Sequence, residues 1–392
     1  MITTAMRLAS LPVATFFAIP LFATPLPATT WHVPSHCPTI QAGIDSASVG
    51  DSVLVAAGTY FENITMKSDV CLLSESGPTF TVIDGQRQAS VVTCHAVANV
   101  TIAGFTIQNG QGSGGNTGTH GGGLDLTDCG PTLMIENNVV CDNYAWDGGG
   151  VIVWRGEGPT IEGNVFISNH AVAQSASSYG LGGAIFMSNV TATIPRPAIR
   201  DNSFVGNYSD RGGSAITSFQ YCEPSIEDNV FWANIDSGMC PTTSGTIFLN
   251  AITPVLRGNT LVGNAGGAVI AISDVASPEI ANSVLALNEV DEAIRCMSGA
   301  SPSFCCCDIY GNSGGDWTSC SASFLGVDGN FSADPLFCDP DNGDFTVASN
   351  SPCLPGHHPA GYACGLIGAL EQGCGAVSHT LETWANIKSH YR

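Results

Sequence analysis

The sequence predicts an all-β solenoid, and three observations carry that prediction. A ten-residue phrase returns seven times, starting at Leu133, Pro159, Pro197, Pro224, Pro254, Pro278 and Pro302, with starts separated by 26, 38, 27, 30, 24 and 24 residues. Two of its positions are apolar in every copy: Ile135, Ile161, Ile199, Ile226, Leu256, Ile280 and Phe304, then Val140, Phe166, Phe204, Phe231, Leu261, Leu285 and Ile309. Asparagine closes every copy, at Asn143, Asn169, Asn207, Asn234, Asn264, Asn288 and Asn312. A second column reads Asn138, Asn164, Asn202, Asn229 and Asn259, with Ser283 and Cys307 at its end. Periods of about 20 to 50 residues mark units that cannot bury their own apolar face and must stack on neighbours. The segments are too short for helices, rich in Val, Ile, Phe and Thr, and punctuated by Gly and Asn, so each coil reads as short strands joined by tight corners. Coils about 4.8 Å apart would turn the apolar columns into spines. They would also let each asparagine amide bond to the same amide one coil away.

Composition narrows the function classes. Of 392 residues, 33 are acidic and 11 basic, a net charge of -22, which argues against nucleic acid or an anionic membrane as partner. At the N-terminus, residues 1–28 read as a secretory signal: Arg7, an apolar run over 8–22, then small Ala23 and Ala28. That run falls short of the roughly 20 residues of a membrane span. Pro12 and Pro20 interrupt it, and no later segment looks like a span. Sixteen cysteines, all after the signal, fit an oxidising compartment and a disulfide framework. Cys338 with Cys353, Cys364 with Cys374, Cys222 with Cys240, and Cys71 with Cys94 are the candidate local pairs. The run Cys305-Cys306-Cys307 reads as disulfides or buried thiols, because neighbours on a strand point to opposite faces and cannot chelate one ion.

Glycine corners precede many phrases: Gly121-Gly122-Gly123-Leu124, Gly148-Gly149-Gly150-Val151, Gly182-Gly183-Ala184-Ile185, Gly212-Gly213-Ser214-Ala215 and Gly266-Gly267-Ala268-Val269. No Lys-Ser or Lys-Thr follows any of them, so they read as turns and not as phosphate cradles.

The phrase resembles the repeat of right-handed parallel β-helix proteins of the pectin-lyase-like class, over roughly residues 39–370. The implied fold is a single-stranded right-handed parallel β-helix solenoid with a short N-terminal capping helix, spanning residues 29–374. The opening TIQAGIDSASVGDSVLVAAGTYFENI, residues 39–64, is similar to the start of such proteins: a helix with Ile40 and Ile44 on one face, a strand over 52–56, and a turn at Gly58-Thr59-Tyr60. The stretch 333–353, followed by 365–370, is similar to their last coil. The resemblance implies no single activity, since the scaffold carries lyases, hydrolases, esterases and adhesins. Polygalacturonase motifs of the Gly-His-Gly and Arg-Ile-Lys kind are absent, as are the Gln-Asp-Thr and Gly-Arg-Pro-Trp of pectin methylesterases.

Insertions are expected between the last asparagine of a phrase and the next glycine corner, so that loops project from one edge. That edge would carry Tyr144, Trp146, Asp147, Trp154, Tyr179, Tyr208, Asp210, Arg211 and Tyr221. Rings beside acids are what a sugar-binding groove uses, and they are also what a self-packed loop looks like. Stacking would set Asp201 above Asp228, with Arg200 nearby. Two carboxylates on adjacent coils suit a retaining glycosidase, or Ca²⁺ with Arg200 as the base of a lyase. Glu162, Arg200, Glu227 and Arg257 equally form a cross-strand charge ladder. The segment 339–344, DPDNGD, reads as a Ca²⁺ loop or a turn, and His357-His358 lacks a third metal ligand. No cofactor is specified by the sequence, Ca²⁺ being the candidate. Residues 375–392 form a tail with Trp384, Ile387, Lys388, Tyr391 and Arg392, either a docking signal or a frayed end. The reading is a secreted or surface protein, monomeric, binding polysaccharide or another extracellular surface without catalysis. The alternative is a polysaccharide lyase or glycoside hydrolase.

Overall fold

The computed structural model describes residues 28–112, 120–173, 180–190, 196–220, 222–250, 253–273, 276–297 and 299–376. The expected signal up to residue 27, the tail from 377, Tyr179 and Tyr221 lie outside the described residues. The chain is a right-handed parallel β-helix. One coil shows its plan: Leu133–Glu136 in a first sheet, Val139–Cys141 in a second, then Tyr144–Ala145 and Val151–Gly156 in a third. The sheets hold 11, 10 and 13 strands, each pairing with the strand one coil on.

Both apolar columns superimpose. Ile135, Ile161, Ile199, Ile226, Leu256, Ile280 and Phe304 are register partners in sequence along the first sheet. Val140, Phe166, Phe204, Phe231, Leu261, Leu285 and Ile309 are partners along the second. The rings of Phe166, Phe204 and Phe231 stack at 4.9 and 4.7 Å with interplanar angles of 6° and 4°. All are buried, so burial and offset stacking act together.

The asparagines saturate their own hydrogen-bonding capacity. Asn202 donates through its amide to Asn229 Oδ1 at 3.0 Å and to the Ile161 carbonyl at 2.9 Å. Its Oδ1 accepts from the Asn164 amide at 3.1 Å and the Asn164 backbone at 2.9 Å. The second column repeats this from Asn143 to Asn312. Buried amides are tolerated only because each is fully paired. The residue before each member of the inner column takes the left-handed conformation: Asn137, Gly163, Asp201, Asp228 and Gly258 before asparagines, and Asn282 before Ser283, at φ from 47° to 66°. Short polar side chains and glycine visit that region at least cost. Cys306, φ 53°, does so too, and a disulfide to Cys364 fixes it.

The third sheet explains the loops. Its short strands Tyr144–Ala145, His170–Ala171, Tyr208–Ser209 and Ile235–Asp236 stand apart from Val151–Gly156, Ile185–Ser188, Ile216–Phe219 and Ile247–Asn250. They fuse into single strands at Ala265–Ile272 and Glu289–Cys296, where the 24-residue spacing leaves nothing to insert. Insertions therefore rise as a ridge between two arms of one sheet. They are not confined there: the third-sheet strand Ile185–Ser188 is separated in sequence from the next first-sheet strand, Ala198–Arg200, by nine residues, against three between Val151–Gly156 and Thr160–Glu162. The expectation of loops at one edge alone is corrected, because only the two asparagine corners are held to constant length by their stacked amides.

Both ends are closed. The helix Ile40–Ser46 buries Ile40 and Ile44 over the first coil. Its N-terminus is capped by Thr39 Oγ1, 3.1 Å from the Ala42 amide, and by the Glu62 carboxylate, 2.9 and 3.0 Å from the Ile40 and Gln41 amides. Gly58–Tyr60 is the edge strand of the second sheet, not a turn. At the other end Trp317 and Phe324 pack on Phe304, and Cys296–Cys320 ties the 3-10 helix Ser319–Phe324 to the last coil.

Residues 333–374 do not make a last coil. They fold back as a three-stranded clasp, Phe337–Asp339, Asp344–Ala348 and Gln372–Cys374. Phe331, Phe337, Phe345, Val347 and Ile367 join the outward-facing Val262, Val284 and Ala286 of the second sheet in a satellite core. Asn342 bonds to Asp339 at 2.8 Å within the 339–344 turn.

The expected cysteine pairs are also corrected: the disulfides are Cys296–Cys320, Cys306–Cys364 and Cys338–Cys374. Cys71 and Cys94 sit on different sheets. Cys222 and Cys240 sit on loops beyond opposite ends of their third-sheet strands. Cys353 is buried against Asp308. No helix among the described residues is long and apolar enough to cross a membrane.

Candidate functional site

One position beyond the second asparagine column lies a further column, and it faces outward. Tyr144, His170, Tyr208 and Ile235 are successive register partners on the short arm of the third sheet. The Tyr144 and His170 rings stack at 4.5 Å and 3°, and His170 meets Tyr208 at 5.6 Å and 37°. The Arg87 guanidinium lies 4.1 Å over the outer face of Tyr144. Coil-on-coil stacking sets these planes across the solenoid axis. The ledge therefore offers edges, hydroxyls and ring nitrogens at one-coil intervals, and not open ring faces. Exposed Asp142 flanks it.

Burial lowers the His170 pKa, and Arg87 adds to this while Asp142 opposes it. A neutral imidazole offers one donor and one acceptor. Burial and then the Asp210 hydrogen bond push the Tyr208 phenol up.

Behind the ledge, the ridge is fastened by buried acids. Asp147 accepts from the Leu181 amide at 3.0 Å, and burial raises its carboxyl to about 6. Asp210 accepts from the Tyr208 hydroxyl at 2.8 Å and the Ala173 amide at 2.7 Å. Asp236 takes the hydroxyls of Ser209 at 2.6 Å and Ser244 at 2.5 Å. Asp147 and Asp210 therefore hold loops, with little carboxylate surface left for a ligand. Arg211 sits on the ridge, its amide bonded to the Gly180 carbonyl and its own carbonyl accepting from Thr243. Trp146 is half-buried beside Asp147, and Trp154 lies across the ridge on the long arm. The structure thus brings Tyr144, Tyr208 and Asp210 together and sets Trp154 apart. Sequence reasoning passed over His170 and Arg87, although extending the columns by one residue would have found His170.

Asp201 and Asp228 occupy the first corner of adjacent coils, on another side of the molecule, and both are exposed. Burial, then the Asp201 and Glu227 charges, pushes the Asp228 carboxyl up, with Arg257 opposing. Arg200 is bound to Glu162 at 2.6 Å and Arg257 to Glu279 at 2.7 Å, as in a charge ladder. No group of three or more His, Cys, Asp or Glu side chains among the described residues could hold a metal ion.

No family model matches this chain, and no curated protein does. Solved structures similar to it include a mannuronic acid specific polysaccharide family 6 lyase from human gut microbiota, 13% identical over 72% of this chain and 74% of that one, TM-score 0.42. A polygalacturonase from Erwinia carotovora ssp. carotovora is 13% identical over 74% and 87%, TM-score 0.36. A surface adhesin of Streptococcus pneumoniae is 10% identical over 70% and 86%, TM-score 0.26. Likeness at this level transfers neither residues nor activity.

Proposed function

We propose that this protein works outside the cell, where its disulfides are stable, and binds a polysaccharide laid along the Tyr144, His170, Tyr208 ledge. The observation that carries the reading is the outward row of hydrogen-bonding edges repeated at coil spacing. A step of about 4.8 Å is close to the advance of one residue in an extended hexose polymer. Successive sugars then meet equivalent groups. The net charge of -22 favours an uncharged glycan over a polyuronate.

Affinity electrophoresis against neutral and acidic polysaccharides tests this. The protein is expected to be retarded by a neutral polymer, and Tyr208→Ala or His170→Ala to weaken binding at least about tenfold, about 1.4 kcal/mol. Variants that bind like the parent, or no retardation by any polymer, would overturn it.

A second reading is backbone cleavage at Asp228 with Asp201 and Arg200, with Ca²⁺ as its candidate ion. The raised Asp228 carboxyl favours it, and the engagement of Arg200 by Glu162 weighs against it. It requires reducing or unsaturated ends in the same polymers, lost in Asp228→Asn.

A further inference from the structure

Across the ridge from the ledge, the outer face of the third sheet's long arm carries a cluster that the binding reading does not use. His95, Thr127 and Trp154 form one outward column on three successive coils. The short Thr127 stands between two larger side chains. The His95 Nε2 lies 3.1 Å from Asp125 Oδ2, and the Thr127 hydroxyl donates to Asp125 Oδ1 at 2.7 Å. His95 is largely exposed, whereas Asp125 is buried. A carboxylate can only accept, so Nε2 carries the proton, and Nδ1, without a partner among the described residues, is left as a base.

His120 stands beside Trp154. Its ring is 6.5 Å from Trp154 at 28°, and its Nδ1 is 3.6 Å from Asp147 Oδ2, too long for a hydrogen bond. Asp128 lies nearby on the Asp125 strand, paired with Arg155 at 2.8 Å. Lys67, level with His95 on the preceding coil by the register of Thr65 with Thr93, donates to the Asp45 carbonyl at 3.1 Å. Asp125, Asp128, Asp147, His120, Arg155 and Lys67 are thus charged or titratable groups around His95.

The chemistry of this set is narrow. A retaining or inverting glycosidase needs two available carboxyl groups, and Asp125 is taken up by His95 and Thr127. Elimination from a uronate needs its carboxylate neutralised, and Arg155 is committed to Asp128. An imidazole oriented by a buried carboxylate is suited to acyl transfer.

We propose that His95 is the general base of a hydrolytic site that removes acyl esters from an uncharged glycan, the sugar meeting the edge of Trp154, whose ring stacks with His120 and Phe186, and the acyl group lying over Thr127. His95 Nδ1 takes a proton from water as its oxygen bonds to the acyl carbon. The ester C–O bond then breaks, and the imidazolium returns the proton to the departing sugar oxygen. Ester and water become carboxylic acid and alcohol, with no other reactant. Asp125 acts as a positioning residue. The glycan as substrate rests on the ledge reading.

The experiment measures acetate released from an O-acetylated neutral polysaccharide, and p-nitrophenol from p-nitrophenyl acetate, by the full chain. His95→Ala is expected to lower kcat/KM at least about 100-fold on both substrates. Asp125→Asn should lower kcat with KM little changed, because the imidazole loses the hydrogen bond that orients it, and Asp125→Glu should restore part of the rate. His95 is exposed, so His95→Ala should keep the parent's circular dichroism. Retention of activity in a folded His95→Ala variant would overturn the assignment. A parent that binds polysaccharide yet releases neither acetate nor nitrophenol would overturn it too, leaving the ledge reading intact. Hydrolysis of p-nitrophenyl acetate without polysaccharide retention supports the base and rejects the ledge.

Discussion

Asn202 and its neighbours show how one residue type specifies a coil. Each buried amide satisfies two donors and an acceptor through the coils on either side, so removing one leaves partners unpaired in a dry interior. Asn202→Ala is expected to cost about 1 to 3 kcal/mol and to lower the Tm measured by calorimetry. Asp147 gives the pH dependence a sign. Its carboxyl is raised to about 6 from 3.8, so between those values the folded state holds a proton that the unfolded chain releases. Its stabilising contribution is complete below about pH 4 and disappears as pH rises through about 6. Asp147→Asn should flatten the corresponding fall in Tm, an effect of up to about 3 kcal/mol at about 1.4 kcal/mol per pKa unit. An identical pH profile in the variant would contradict the assignment. Isoleucine, phenylalanine and asparagine columns were legible in sequence because they repeat. His170 was legible one place beyond the asparagine column, whereas His95 was not, since it belongs to no repeated phrase and its partner Asp125 is about a coil away along the chain.

Corners, caps and clasp belong to the scale of elements. The asparagine corners are constant because stacked amides permit no extra residue, whereas the third sheet can split and carry loops between its arms. Chain proximity misled the cysteine assignment for a related reason. In a solenoid, residues roughly one coil apart on the same sheet are neighbours, whereas closer ones diverge to other sheets. Cys296–Cys320 joins the last coil to the 3-10 helix that caps it, Cys71 and Cys94 fall on different sheets although about a repeat apart, and Cys306–Cys364 depends on the clasp folding back, which no repeat foretells. The Cys306→Ser, Cys364→Ser double variant should loosen the clasp, seen as faster limited proteolysis within 354–363 while coils over 133–310 remain resistant. Uniform loss of resistance would show that the clasp and solenoid unfold as one unit.

For the whole molecule, the solenoid converts sequence periodicity into spatial periodicity, which is why a polymer with a similar repeat is the proposed partner. The fold was read almost completely from the repeat, while the site was read only in part, because function lies in positions that vary from coil to coil. Two faces flank one ridge: the ledge proposed for binding, and the His95 face proposed for ester chemistry. Hydroxyl-radical footprinting with mass spectrometry, with and without the polysaccharide that retards the protein most, addresses the ledge directly. Protection of Tyr144, His170 and Tyr208, with the 200–201 and 227–228 corners unchanged, is the predicted result. Protection at those corners with the ledge rings as reactive as before would contradict the account.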